Sequence, residues 1–389
     1  MIPIAYNVRS LFVRKTTTLA TLFGVALVVF VLSSSRMLAR GITETMGRSG
    51  SPENAIVLRK GSDAELASNI ENNLIGIIKS APGIKLGSDG GPLGAAEMVM
   101  VIAAPLATAR DQVANVLVRG VTEDSLKLRG ELRIVRGRSA RPGTNEVVVG
   151  KRILGRFRGV ELGSTFDLNK NRPARVVGVF ETGGSSFESE VWADLDFVRA
   201  AFGRPAAVSS VTVALASHSS FDAFAAAVES DKQLGLEVLR ESVYYEKQSE
   251  GTADFVRFLG DAIVFFFSLG AMIGAMITMY AAVASRRREI GTLRALGFSR
   301  FQVLSSFLLE AFLLALLGGA LGALASFGMT FAHFSIMNFA SFSEVVVSFE
   351  PTPRIVVSAL LAGGLMGLFG GFLPALRASR TSPLVAMRD

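Results

Sequence analysis

The chain has 389 residues, half of them hydrophobic, a formal net charge of +7, two histidines and no cysteine. Disulfides, thiolate nucleophiles and cysteine zinc sites are therefore excluded, and His218 and His333 read as isolated surface or interfacial side chains rather than metal ligands. The basic residues gather at the ends of apolar runs, as topology signals do, and form no nucleic-acid-like patch.

Residues 1–15 alternate apolar and basic side chains and read as a cytoplasmic amphipathic segment lying in the membrane interface. Four charge-free windows follow along the chain, at 16–35, 262–285, 311–332 and 355–376. Each is 20–24 residues long, or roughly 30–36 Å as helix, which matches the hydrocarbon core of a bilayer. With their flanks they predict transmembrane spans at 16–38, 255–285, 301–332 and 355–376. The first is not read as a cleaved signal peptide, because its apolar stretch is long and Leu32-Ser33-Ser34-Ser35-Arg36 offers no small-x-small site.

Orientation follows from the flanks. Arg9, Arg14 and Lys15 precede the first span, five arginines stand between the second and third, and Arg377, Arg380 and Arg388 follow the fourth. The 333–354 connection carries Glu344 and Glu350, with Arg354 its only Lys or Arg. Short basic segments stay in the cytoplasm. Both termini, the corner at 286–300 and the tail at 377–389 are therefore expected in the cytoplasm. Residues 333–354 become an extracytoplasmic loop.

Residues 39–254 read as a large extracytoplasmic α/β domain. A strand at 54–58, a helical period over 63–80 (Leu66, Ile70, Leu74, Ile77, Ile78) and a strand at 98–103 make one unit. A strand at 208–215, a helix at 220–234 and a strand at 236–243 repeat it. Two such units, at 51–104 and 206–246, predict a ferredoxin-like sandwich split by an insertion at 105–205. The insertion, with short strands near 116–118, 146–149, 165–168, 174–180 and 191–192 and a short helix at 195–202, reads as a small mostly-β subdomain. Within it, Gly183-Gly184-Ser185-Ser186 reads as a mobile hairpin tip. Helical character beyond Arg36 and over 245–261 predicts that the first two spans continue as a stalk.

On the membrane side, the 286–300 corner is helical in pattern, with Ile290, Leu293 and Leu296 recurring every three residues and read as one face, Arg287, Glu289 and Arg294 pointing elsewhere, and Arg286 opening the corner. Gly297 is a natural helix end. Ser299 with Gln302 is a capping box for the next helix. From these residues alone the helix is either an anchor on anionic lipid or a docking surface for a cytoplasmic partner. Glu310, inside the third span, requires a partner, for which the arginines at the cytoplasmic end are candidates. Small residues at four-residue spacing, Gly270 and Gly274, Gly318 and Gly322, and Gly363, Gly367 and Gly371, predict close helix packing in a bundle or a dimer. There is no Gly-x-x-x-x-Gly-Lys-Ser/Thr loop and no Ser/His/Asp ordering, so no catalytic role and no cofactor are assigned to this chain.

Residues 288–297 (REIGTLRALG), Leu308-Leu309-Glu310-Ala311, Gly318-Gly319 and the ending PALRASR with SPLVAMR resemble the FtsX/MacB-like permeases of ABC transporters. In the α/β region, Glu146-Val147-Val148-Val149-Gly150 and Val176-Val177-Gly178-Val179-Phe180 are similar to the same family. The resemblance implies a homodimer of permease chains working with a cytoplasmic P-loop ATPase that holds ATP and Mg. MacB carries its ATPase on the same chain; with only a short segment before the first span here, a separate ATPase polypeptide is expected. The 286–300 helix becomes the coupling helix, and ATPase motion passes through the stalk to the periplasmic domain in mechanotransmission. The function so implied is export from the periplasm or membrane with a periplasmic adaptor. Lipoprotein release and regulation of a periplasmic cell-wall hydrolase are the alternatives.

Overall fold

A computed structural model describes residues 15–107, 112–232 and 234–381. The expected amphipathic segment at 1–15 therefore lies, but for its last residue, outside the described residues, and so does the tail from 382.

In chain order, α1 (Lys15–Gly47) leads to β1 (Asn54–Arg59), β2 (Ile70–Glu71), α2 (Asn72–Ser80), β3 (Gly94–Pro105) and β4 (Val113–Val121). Then come α3 (Glu123–Leu128), β5 (Arg133–Gly137), β6 (Glu146–Gly150), β7 (Thr165–Asn169), β8 (Arg172–Glu181), β9 (Glu190–Asp194) and α4 (Leu195–Phe202). Next are β10 (Ala207–Val208), β11 (Ser210–Ala214), α5 (Ser220–Glu229), β12 (Leu236–Arg240), α6 (Glu241–Ser285), α7 (Arg287–Ala295) and α8 (Arg300–Phe327). The chain ends with β13 (His333–Met337), β14 (Glu344–Ser348) and α9 (Pro353–Ser379). It divides into an α/β unit, Gly41–Asp254 with His333–Ser348, and a helical unit of the remaining residues.

In the α/β unit, β12, β1, β11 and β3 lie side by side in that order, all pairs antiparallel. With α2 and α5 as the intervening helices, this is the ferredoxin-like arrangement. β1 and β11 are buried almost throughout, with Val211 and Val213 on one face of β11 and the buried Ser210 and Thr212 on the other. The insertion is not a separate subdomain. β3 is 12 residues long; its first four residues pair β11 and the remainder pairs β4. The sheet then continues through β9, β6, β8 and β5, and a single core of Val, Ile, Leu and Phe side chains runs beneath both parts.

Three local expectations change. The helix expected over 63–80 starts only at Asn72, because Ile70–Glu71 is taken up in pairing with Ala207–Val208. Ahead of it, the Glu65 amide donates to Tyr244 Oη (2.9 Å) and the Arg59 amide to Ser68 Oγ (2.9 Å), so tertiary hydrogen bonds hold 63–69 out of the helix. The Gly183-Gly184 segment is no free tip: the amides of Thr182 and Gly184 both donate to Glu188 Oε1 (2.9 and 2.8 Å), and Ser185 and Ser186 are buried. The 333–354 connection contains a hairpin, β13 with β14, that packs in the α/β unit, where Ser189 Oγ accepts from the Val346 amide at 3.0 Å.

Among the described residues, four helices are long and apolar enough to cross a membrane, within α1, α6, α8 and α9. Their contacts run through small residues. A Cβ on Gly322 would stand 2.2 Å from Ala26 O, and one on Gly318 2.7 Å from Leu22 O. On α9, Cβ atoms at Gly367 and Gly371 would stand 2.3 Å from Ala315 Cβ and 2.5 Å from Ala311 Cβ, and Gly363 packs on Val29. Around Gly270 and Gly274 of α6 no atom lies within 4 Å of such a Cβ. That face opens on a groove shared with Ala20, Gly24 and Val28 of α1.

Candidate functional site

The basic corner is built from one break and one cap. Arg286 leaves helical geometry (φ −107°, ψ 14°) and separates α6 from α7. Gly297, at φ +92°, takes the left-handed turn after α7 that a side chain would strain. Ser299 Oγ then accepts from the Gln302 amide (3.2 Å) while Gln302 Oε1 accepts from the Ser299 amide (2.8 Å), so the next helix starts in a reciprocal cap. Arg294 Nη1 donates to Phe298 O at 2.9 Å and ties α7 to that turn.

A three-residue spacing falls 60° short of a full turn at each step, so Ile290, Leu293 and Leu296 wind around α7 rather than share one face. Ile290 is buried with Met279, Val283, Val303, Phe307 and Ala375 in the bundle core. Leu293 and Arg294 are half-buried, and Leu296 is 72% exposed. Arg287, Arg288, Glu289 and Thr292 are exposed as well, and Phe301 in the next helix is 74% exposed. The solvent face of the corner is thus two bare apolar side chains among arginines.

Beneath it, Arg286 Nη1 donates to Glu310 Oε2 at 2.9 Å, and Arg286 Nε stands 3.6 Å from Glu289 Oε2. Glu310 is buried. A carboxylate within a span is stabilised only when paired, and the arginine that precedes the corner supplies that charge. Removing either partner therefore disturbs the seat of α7 as well as the span.

The sequence did not reveal a second constellation, in the α/β unit. Arg119 of β4 lies buried among three carboxylates: Glu65 (2.9 Å), Glu97 of β3 (2.9 Å) and Glu190 of β9 (2.8 Å). Arg129 grips Glu97 with two hydrogen bonds, 2.7 and 2.9 Å, and its Nη2 stands 4.0 Å from Glu241 Oε1. Trp192, the chain's only tryptophan, donates from Nε1 to Glu190 Oε2 at 2.7 Å. The Arg129 guanidinium lies over the Phe187 ring, 4.6 Å from its centroid. Burial alone would push the Glu97 carboxyl up, but Arg129 and then Arg119 more than offset it and hold Glu97 below the ordinary carboxylate value. For Glu190 burial prevails over Arg119 and the indole N–H, and its carboxyl is pushed up. No local motif announces this cluster: Arg119 and its carboxylates are 22 to 71 positions apart. The available signal was a set of charged residues inside otherwise apolar strands, Glu97 in GAAEMVMV and Arg119 in VLVRGV.

The family model described as "MacB-like periplasmic core domain" matches residues 16–231, and that described as "FtsX-like permease C-terminal" matches 262–383. The chain is 29% identical over 294 residues to the macrolide export ATP-binding/permease protein MacB of Burkholderia pseudomallei, covering 70% of this chain and 43% of that protein. It is 36% identical over 141 residues to the protein of the same name in Hahella chejuensis, 36% of this chain and 20% of the relative. The chain thus spans less than half the length of these curated relatives. The crystal structure of the extracellular domain of the noncanonic ABC-type transporter YknZ from Gram-positive bacteria aligns with 48% of this chain and 99% of its own, at 18% identity and a TM-score of 0.37. With one family model covering more than half of the chain and a second covering the helices of the C-terminal third, the protein belongs to the MacB/FtsX-like permeases of ABC transporters.

Proposed function

We propose that this chain is the permease subunit of a mechanotransmission ABC transporter. In this reading a P-loop ATPase outside these 389 residues, a separate polypeptide holding ATP and Mg, docks on the solvent face of α7. Its motion passes along α1 and α6 to the α/β unit on the other side of a bacterial inner membrane, where a periplasmic adaptor and an exported substrate are engaged. Both termini and the basic corner face the cytoplasm, as short arginine-rich segments do. A second copy of the chain packs on the open Gly270/Gly274 face of α6. No catalytic step is assigned to the chain itself.

The observation that carries this reading is the exposure of Leu296, at the end of α7, and of Phe301, at the start of α8, on either side of a turn whose helix α7 is fixed in the bundle core at Ile290. Bare apolar side chains ringed by arginines match the make-up of protein interface centres, and their rigid seat suits a lever. The test is co-purification. Tagged wild-type chain should bring down a P-loop ATPase from its own membranes, and Leu296→Asp should lose it while the chain stays folded. Retention of the ATPase by Leu296→Asp and by Phe301→Asp alike would remove the docking assignment.

A further inference from the structure

The end of α1 and the start of α6 lie within the α/β unit, and one carboxylate joins them. Glu241 is the first residue of α6 and is buried. Its Oε2 accepts from the Ser51 amide (3.0 Å) and from Asn54 Nδ2 (2.8 Å), both in the segment leaving α1. The backbones also meet there: a Cβ on Gly50 would stand 2.5 Å from Glu241 O and 2.6 Å from Ser242 Cα. Such an approach leaves no room for a side chain. On the other side of Glu241, Arg129 Nη2 stands 4.0 Å from its Oε1 and carries the connection through Glu97 to Arg119 and strands β3, β4 and β9. The next turn of α6 is fixed by rings: Tyr245 meets Phe187 edge-on at 5.6 Å, and Phe187 meets Trp192 at 5.5 Å.

We infer that Glu241 is a positioning residue, a clip that holds the exit of α1 and the entry of α6 at one fixed spacing and keys both to the central strands. Six charged side chains, Glu65, Glu97, Arg119, Arg129, Glu190 and Glu241, are buried in this one cluster. A buried ionic cluster is a poor source of stability compared with apolar packing, and its best-attested use is to specify one arrangement. Three carboxylates hydrogen-bonded to two guanidiniums, with Glu241 bonded to Ser51 and Asn54, hold their directional contacts only in one geometry, whereas an apolar joint could slide. The role given to this geometry rests on the proposed function: with the clip closed, motion in α1 and α6 reaches the sheet as one displacement; with it open, the helices move independently.

The chain has no cysteine, so spin labels can be placed without background. Gly47, where an added Cβ meets nothing within 4 Å, and the exposed Lys247 flank the junction. In full-length G47C/K247C chain in nanodiscs without nucleotide, pulsed electron resonance should give one narrow distance distribution. E241A should broaden it, with Trp192 fluorescence showing that the α/β unit is folded. E241Q, which keeps an acceptor for Ser51 and Asn54, should restore the narrow form. Should E241A not fold, N54A removes one of the two donors and should broaden the distribution to a smaller extent. A folded E241A or N54A with the narrow distribution unchanged would overturn the clip, and so would E241Q as broad as E241A. If the distances respond to the variants but never to ATP with a co-purified ATPase present, the proposed function fails and the clip stands.

Discussion

Arg286, half-buried, and Glu310, buried, form an ion pair, 2.9 Å from Nη1 to Oε2, between the residue that opens the basic corner and a carboxylate inside the third span. Each accounts for the other: the span tolerates a carboxylate because a guanidinium faces it, and α7 is seated because Arg286 is held. E310L and R286M should each destabilise the detergent-solubilised chain by about 3–5 kcal/mol, the cost of a stranded buried charge. The double variant should cost clearly less than the sum. Thermal unfolding of the four proteins measures this, and strict additivity would mean that the two side chains do not act as a pair.

The glycines divide into two groups with different consequences. G322A forces a Cβ to within 2.2 Å of Ala26 O, whereas G270A meets nothing within 4 Å in the protomer. G322A should lower stability by about 1–3 kcal/mol. G270L should leave the protomer's stability unchanged and weaken self-association, read as the dimer fraction by light scattering in detergent. A G270L chain that dimerises like wild type would place the second copy elsewhere.

Glu97 sets an acid limit on the α/β unit. Its folded carboxyl lies below the ordinary value of 4.5 because Arg129 and Arg119 outweigh burial. The folded state therefore holds fewer protons than the unfolded one as pH falls below 4.5. Its contribution is complete above that value and is lost as pH falls through the depressed one. At neutral pH, E97Q should cost about 3–5 kcal/mol, since it removes the one carboxylate hydrogen-bonded to Arg129. The gap from wild type should shrink on acidification below 4.5. Urea unfolding followed by Trp192 fluorescence checks both, the indole being fully buried beside the cluster. A gap that stays constant into strong acid would mean that Glu97 is not the depressed group.

Much of the helical unit was legible because its signals are local or nearly so. A stretch of 20 or more residues without charge has few readings other than a span, and Ser299 with Gln302 specifies its own cap within four residues. For Glu310 the sequence points to an arginine at the cytoplasmic end, but with five in the corner alone it does not single out Arg286. Ile290 was harder: periodicity shows that a residue is apolar but not which neighbour covers it. In the α/β unit the alternation of strands and helices predicted the ferredoxin-like order. It could not show that the 12-residue β3 would serve two partners and merge the insertion into one sheet. The start of the 63–80 segment differs for a related reason. The segment has a helical period, and the Tyr244 hydroxyl and the Ile70–Val208 pairing override it.

The account as a whole requires the corner at 286–300 and the α/β unit to lie on opposite faces of one membrane. The cysteine-free chain permits a direct measurement. Leu162→Cys reports on the α/β unit and Leu296→Cys on the corner, both side chains being exposed. In intact spheroplasts a membrane-impermeant maleimide should label position 162 at once and position 296 only after lysis. Labelling of position 296 from outside, or of both positions from the same side, would contradict the account.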